Sequence, residues 1–374
     1  MTASRLLAKL QDFRLLPIFV IVSMAIGIAI GKALSISDFE LTPPIDAIKS
    51  MAGGTFELSV ASAISLGVPI GLFMMMYPAM TNVRLGEVGI AFRSPRQLAV
   101  VLFFNFAIAP FLMLLLADIF VSDPELHTGL VLYGLAPCIA MVIIFTFLAK
   151  GNVPMALVFV ALNSVLQMLL IPVYARLLIG NVEFDVLVVG QSVMLYLGLP
   201  LILGVLTRIL VVRRGGEAAM DRLKPGLNAL SILGLLFTLI VMFSLKGDLI
   251  LEQPGIVLQM AIPMTIFFTV MFFVVLFIGS RLGFSYEDGV AVAFNATGRD
   301  FEIAIAIAIT AFSPTVALAT VVGPLIEVPV MLFLVWAATR LAPRWFSSAV
   351  PKGVGPELVT ITTDATASSR RVTP

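Results

Sequence analysis

Cys138, Glu327 and the run Asn295-Ala296-Thr297-Gly298-Arg299-Asp300-Phe301-Glu302 are the residues with chemistry to offer in this chain. The run lies in the middle of residues 289–312, which are otherwise apolar and long enough to cross a bilayer. A charge at that depth costs about 2.5–3.5 kcal/mol on insertion scales, so it is kept where it faces water, a substrate or a coupling ion. Asp300, Glu302 and Glu327 can carry a proton, and Asn295 and Thr297 offer neutral oxygen donors. Arg299 has two readings from its type alone. It is a planar clamp for a carboxylate or oxyanion, or the partner of Asp300 in an ion pair that fixes a helix break. Cys138, the single cysteine, is a soft sulfur ligand or a small buried hydrophobe.

Such residues need elements that hold them inside a membrane, and the composition supplies these. The chain of 374 residues is 60% hydrophobic and 12% charged, with a mean hydropathy of +1.10. That balance predicts an all-α integral membrane protein and argues against a soluble enzyme. Apolar runs of spanning length fall at about 15–34, 58–79, 97–117, 128–148, 153–179, 186–212, 228–246, 255–279, 289–312 and 316–341, giving ten spans. Residues 1–350 therefore read as one polytopic membrane domain, with the connection near 213–227 as a loop. Residues 351–374, rich in Thr, Ser and Ala, read as a disordered cytoplasmic tail. Arg208, Arg213, Arg214, Arg222, Lys224, Arg281 and Arg340 fall on one side, and only Lys32, Lys49, Arg176 and Lys246 on the other. This bias predicts a plasma-membrane protein with both termini cytoplasmic. The one histidine, His127, reads as a solvated residue of an outer loop.

An internal repeat links the two halves. A shift of about 164 residues lays Arg176-Leu177 on Arg340-Leu341 and Asn163 on Glu327. Five spans per repeat, about 14–180 and 186–345, must insert with opposite topology, as in secondary transporters. Spans 4 and 9 then correspond, and each carries breakers at mid-membrane: Gly134 and Pro137 in one, Thr297-Gly298 in the other. Their half-helix ends are expected to turn free N–H and C=O groups toward a central cavity.

Several segments together carry a family likeness: GVPIGLFMMMYPAM (67–80), LAPCIAMV (135–142), LAKG (148–151), ALNSVLQ (161–167), LLFTLIVMFSLKG (235–247), FEIAIAIAI (301–309) and VVGPLIEVPVML (321–332). Over about 14–341 the chain resembles the arsenite efflux carriers of the bile acid/arsenite/riboflavin transporter superfamily. The resemblance implies a core and a panel of helices, crossed broken helices 4 and 9, and alternating access. It implies extrusion of trivalent arsenite, sometimes antimonite, driven by proton entry. On that pattern Cys138 is the helix 4 thiol and transient metalloid ligand, and Glu327 the helix 10 carboxylate. The chain departs from the family on the broken helices, with Ala136-Pro137-Cys138, Phe145-Thr146-Phe147 and Gly298-Arg299-Asp300 where Ala-Arg-Cys, Trp-Asn-Asp and Ser-Asn-Asn are usual. In sodium-coupled relatives the helix 9 break holds Na⁺, which adds a third reading of Arg299 as a built-in substitute for that ion.

The expected function is proton-coupled efflux of arsenite, with Cys138, Pro137, Asn163, Thr297 and Arg299 at the substrate and Glu327, Glu302, Asp300 and Asn295 coupling the ion. The alternative is a sodium- or proton-coupled importer of organic anions in the same fold, and a channel is a third class. No cofactor is expected. The expected partners are a small solute, protons or sodium, and the bilayer. No P-loop, metalloprotease motif or nucleophile–base pair is visible, so no enzymatic chemistry is expected.

Overall fold

The computed structural model describes residues 16–34, 60–81, 94–139, 141–179, 185–252, 254–341 and 345–346. The chain ends, and with them the cytoplasmic-terminus and disordered-tail expectations, lie outside the described residues. Among those residues there are helices and no strands.

α1 (Leu16–Leu34) and α2 (Val60–Thr81) come first. α3 (Pro95–Leu102) runs through a π-helical turn, Phe103–Ile108, into α4 (Ala109–Phe120). α5 (Pro124–Leu135), α6 (Met141–Leu148) and α7 (Val153–Leu178) follow. α8 (Val186–Val193) passes through a second π-helical turn, Met194–Gly198, into α9 (Leu199–Glu252). The remainder is α10 (Pro254–Arg281), α11 (Tyr286–Thr297), α12 (Phe301–Ala311), α13 (Pro314–Val321) and α14 (Gly323–Leu341). Five helical stretches among the described residues are long and apolar enough to cross a membrane: α3–α4, α7, α8–α9, α10 and α14.

Two sequence expectations need correction. The connection at 213–227 is helical except at Gly216, whose φ of 68° and ψ of −176° only glycine adopts freely. Arg208 holds the two sides of that kink together, donating from one nitrogen to both Glu217 oxygens at 2.8 and 2.9 Å. The tenth expected span is divided at Val322, because Pro324 brings no N–H to the turn that Gly323 opens.

The helices associate in two groups. α9 packs chiefly on α1 and α2, and α3–α7 pack with α10–α14. Glycine makes the first group possible. A Cβ on Gly27 would lie 2.5 Å from the Ile240 carbonyl oxygen, and one on Gly67 3.0 Å from Val241 Cγ2. Gly31 and Gly71, one turn further on, meet Ser244 and Thr238 as closely. Small residues at four-residue spacing let membrane helices approach backbone to backbone. In the second group α11 is buried along most of its length and α12 almost throughout, so the broken elements lie at the centre.

Candidate functional site at the helix crossing

α5 and α11 stop where the sequence places breakers, and their local chemistry explains each stop. Asp123 caps α5, accepting from the Glu125 and Leu126 amides, and the helix ends before Pro137. Ser285 caps α11, and Asp300 caps α12 by accepting from the Ile303 amide at 3.1 Å. Asp300 thus has a structural role that its charge did not reveal.

The two breaks pair with each other. The Cys138 amide donates to the Gly298 carbonyl at 3.0 Å, and the Asp300 amide donates to the Ala136 carbonyl at 2.8 Å. Together they make an antiparallel bridge between Pro137 and Arg299. Gly298 is needed for this approach. A Cβ there would sit 2.5 Å from Val142 Cγ1 and 3.0 Å from Cys138 Cβ. The expected free backbone groups at the crossing are therefore largely satisfied, by each other and by side chains.

Arg299 is fully buried and does not pair with Asp300. Among the described residues its guanidinium meets no carboxylate at ion-pair distance. It donates instead to neutral oxygens: Nε to Thr297 O at 3.2 Å, Nη1 to Gly134 O at 3.4 Å, and Nη2 to Asn105 Oδ1 at 2.7 Å and to Ala296 O. The Phe267 ring covers one face, 5.3 Å from Cζ. Glu327 is bound elsewhere, accepting from the Tyr133 hydroxyl at 2.6 Å and from the Arg299 amide at 3.3 Å. The structure thus brings Cys138, Pro137, Arg299, Asp300 and Glu327 around one crossing. Cys138 is buried in it, 2% exposed. Glu302, also buried, lies in the first turn of α12, where the helix dipole favours a negative charge.

Asn163 stands apart on α7. Both its side-chain polar atoms are buried without a hydrogen-bond partner, and so are those of Gln167 one turn later. Asn295 Oδ1, Thr297 Oγ1 and Thr146 Oγ1 are likewise unpartnered, on α11 and α6, the helices against which α7 packs. Tyr133, Phe267, Gly323 and Asn105 are not singled out for this site by the sequence. Their types are ordinary in a membrane interior, and only the Gly323-Pro324 pair offered a signal. His127 is also corrected. It lies buried in α5, 2.8 Å from Asp118.

The family described as "Sodium Bile acid symporter family" matches residues 69–253. The arsenical-resistance protein Acr3 of Corynebacterium glutamicum is 34% identical over 346 residues, covering 88% of this chain and 90% of that protein. The chain belongs to the Acr3 family. Acr3 of Alkaliphilus metalliredigens is 32% identical over 353 residues, covering 89% and 93%. An uncharacterized transporter of Synechocystis sp. is 32% identical over 356 residues, covering 88% and 89%. The protein is accordingly a multi-pass membrane transporter.

Proposed function

We propose that this transporter exports arsenite in exchange for protons by alternating access. The observation that carries the reading is the position of Cys138. A lone thiol lies in the bridge between two broken helices, and Glu327 is bound through the Arg299 amide on the same bridge. The two Acr3 relatives support the solute. The proposed architecture is ten spans in two inverted repeats, with α1, α2 and α9 in a panel and the remaining helices forming a core around the crossing.

Arsenous acid entering from inside would exchange one hydroxyl for the Cys138 sulfur. The S–As bond forms as an As–O bond breaks, and the thiol proton leaves with that hydroxyl as water. A single thiol gives one such bond, which suits transient binding. The core then turns against the panel, water outside reverses the exchange, and a proton taken up on Glu327 resets the carrier. Asn163, Thr297 and Asn295 supply neutral polar groups to the remaining hydroxyls, and Glu302 is the second carboxyl available to the proton.

Everted membrane vesicles test this. Arsenite should accumulate under an imposed pH gradient without sodium, and Cys138→Ser and Glu327→Gln should each abolish accumulation. Wild-type vesicles that hold folded protein but take up no arsenite would overturn the reading. Uptake of an organic anion unaffected by Cys138→Ser would replace it.

A further inference from the structure

We infer that the Arg299 guanidinium is a tethered monovalent cation, occupying an oxygen-lined site that would otherwise take a small free cation. The accounting of helix ends carries this. The last four carbonyls of any α-helix have no partner in the helix. In α11 all four are capped here: Phe294 O by the Gly298 amide, Asn295 O by Asn105 Nδ2 at 3.1 Å, and Ala296 O and Thr297 O by Arg299. Arg299 also reaches Gly134 O, near the end of α5. Two half-helices therefore point their negative ends at one positive group. Three backbone carbonyls and the Asn105 amide oxygen surround it, and neutral oxygens of this kind make ligand sets for hard cations.

The same geometry decides between the three sequence readings. An ion pair is excluded by the absence of any carboxylate at the guanidinium among the described residues. An anion clamp needs free donors facing a cavity, whereas Nε, Nη1 and Nη2 all donate to protein oxygens and the residue has no exposure. What is left is a fixed charge serving the oxygens around it. The inference deepens the proposed carrier by assigning its ion coupling. A chain that carries its own cation at the crossing needs no sodium there.

The test is melting of the purified full chain in detergent, which uses no arsenite and so stands apart from the transport reading. Sodium, potassium or guanidinium chloride is exchanged for choline chloride at constant ionic strength. The wild type should melt at one temperature in the sodium, potassium and choline salts, and the general denaturing shift that guanidinium gives the wild type is subtracted from that of each variant. Arg299→Ala should melt lower in choline and recover saturably with at least one of the three small cations, by on the order of 5 °C at a hundredfold excess over Kd. A sodium-specific rise in the wild type would overturn the inference. So would an Arg299→Ala protein that matches the wild type in choline or answers to none of the ions. If that variant does not fold, Arg299→Lys and Arg299→Met decide. The charged variant should melt well above the apolar one of similar length, and equal melting would overturn the inference.

Discussion

The Glu327 carboxylate depends on a hydroxyl nearly two hundred residues away in sequence. Tyr133 donates to Oε2 at 2.6 Å, and the Arg299 amide serves Oε1 at 3.3 Å. Tyr133→Phe keeps the ring, which meets Phe268 edge-on, and removes only the donor. A buried acceptor left unsatisfied costs about 1–3 kcal/mol. The variant should therefore be less stable than the wild type by that amount, whereas Tyr77→Phe, whose Thr207 partner is only part-buried, should cost less. Equal melting shifts would show that Tyr133 does not anchor the carboxylate. Glu327 and Arg299 were legible in the sequence because a charge inside an apolar run stands out. Tyr133, Asn105 and Phe267 were not, because nothing local distinguishes them from ordinary packing residues. Their roles come from contacts between distant segments.

At the scale of elements, legibility followed the breakers. Pro137 and Gly298 each interrupt an apolar run, so the residue types alone locate the breaks of α5–α6 and α11–α12. The mutual pairing of those breaks is not legible in this way, because it depends on how two segments cross. Residues 213–227 misled for a related reason. Paired arginines and glycines look like a loop, yet the stretch is helical on both sides of Gly216. Gly323 offers a test of how tightly the crossing is built. A Cβ there would lie 2.6 Å from Tyr133 Cε2 and 3.3 Å from Phe301 Cβ, so neither the ring nor the start of α12 can give way easily. Gly323→Ala should cost about 1–3 kcal/mol, the usual penalty of overpacking. Gly190→Ala is its control, since a Cβ on Gly190 meets nothing within 4 Å. Removing a glycine from a helix interior there should be neutral or stabilising by up to about 1 kcal/mol. Similar melting shifts for the two variants would mean that Tyr133 is not wedged against α14.

For the molecule as a whole, the two helix groups set what transport can look like. α9, α1 and α2 hold one another by glycine-mediated contact, and the buried crossing belongs entirely to the other group. Under the proposed mechanism one body moves against the other, and the cargo of each half-cycle determines the charge moved. Arsenous acid is neutral, Arg299 keeps its charge within the protein, and the exchanged proton carries one net charge across. A potential of 100 mV is worth about 2.3 kcal/mol for that charge, enough to concentrate the solute roughly 50-fold. In everted vesicles without a pH gradient or sodium, a lumen-positive potassium diffusion potential should therefore drive arsenite inward, and reversing its sign should drive arsenite out. An electroneutral carrier would respond to the pH gradient and ignore the potential. A sodium-coupled one would ignore both signs until sodium was added, and either result would separate this chain from the charge-moving exchange proposed for it.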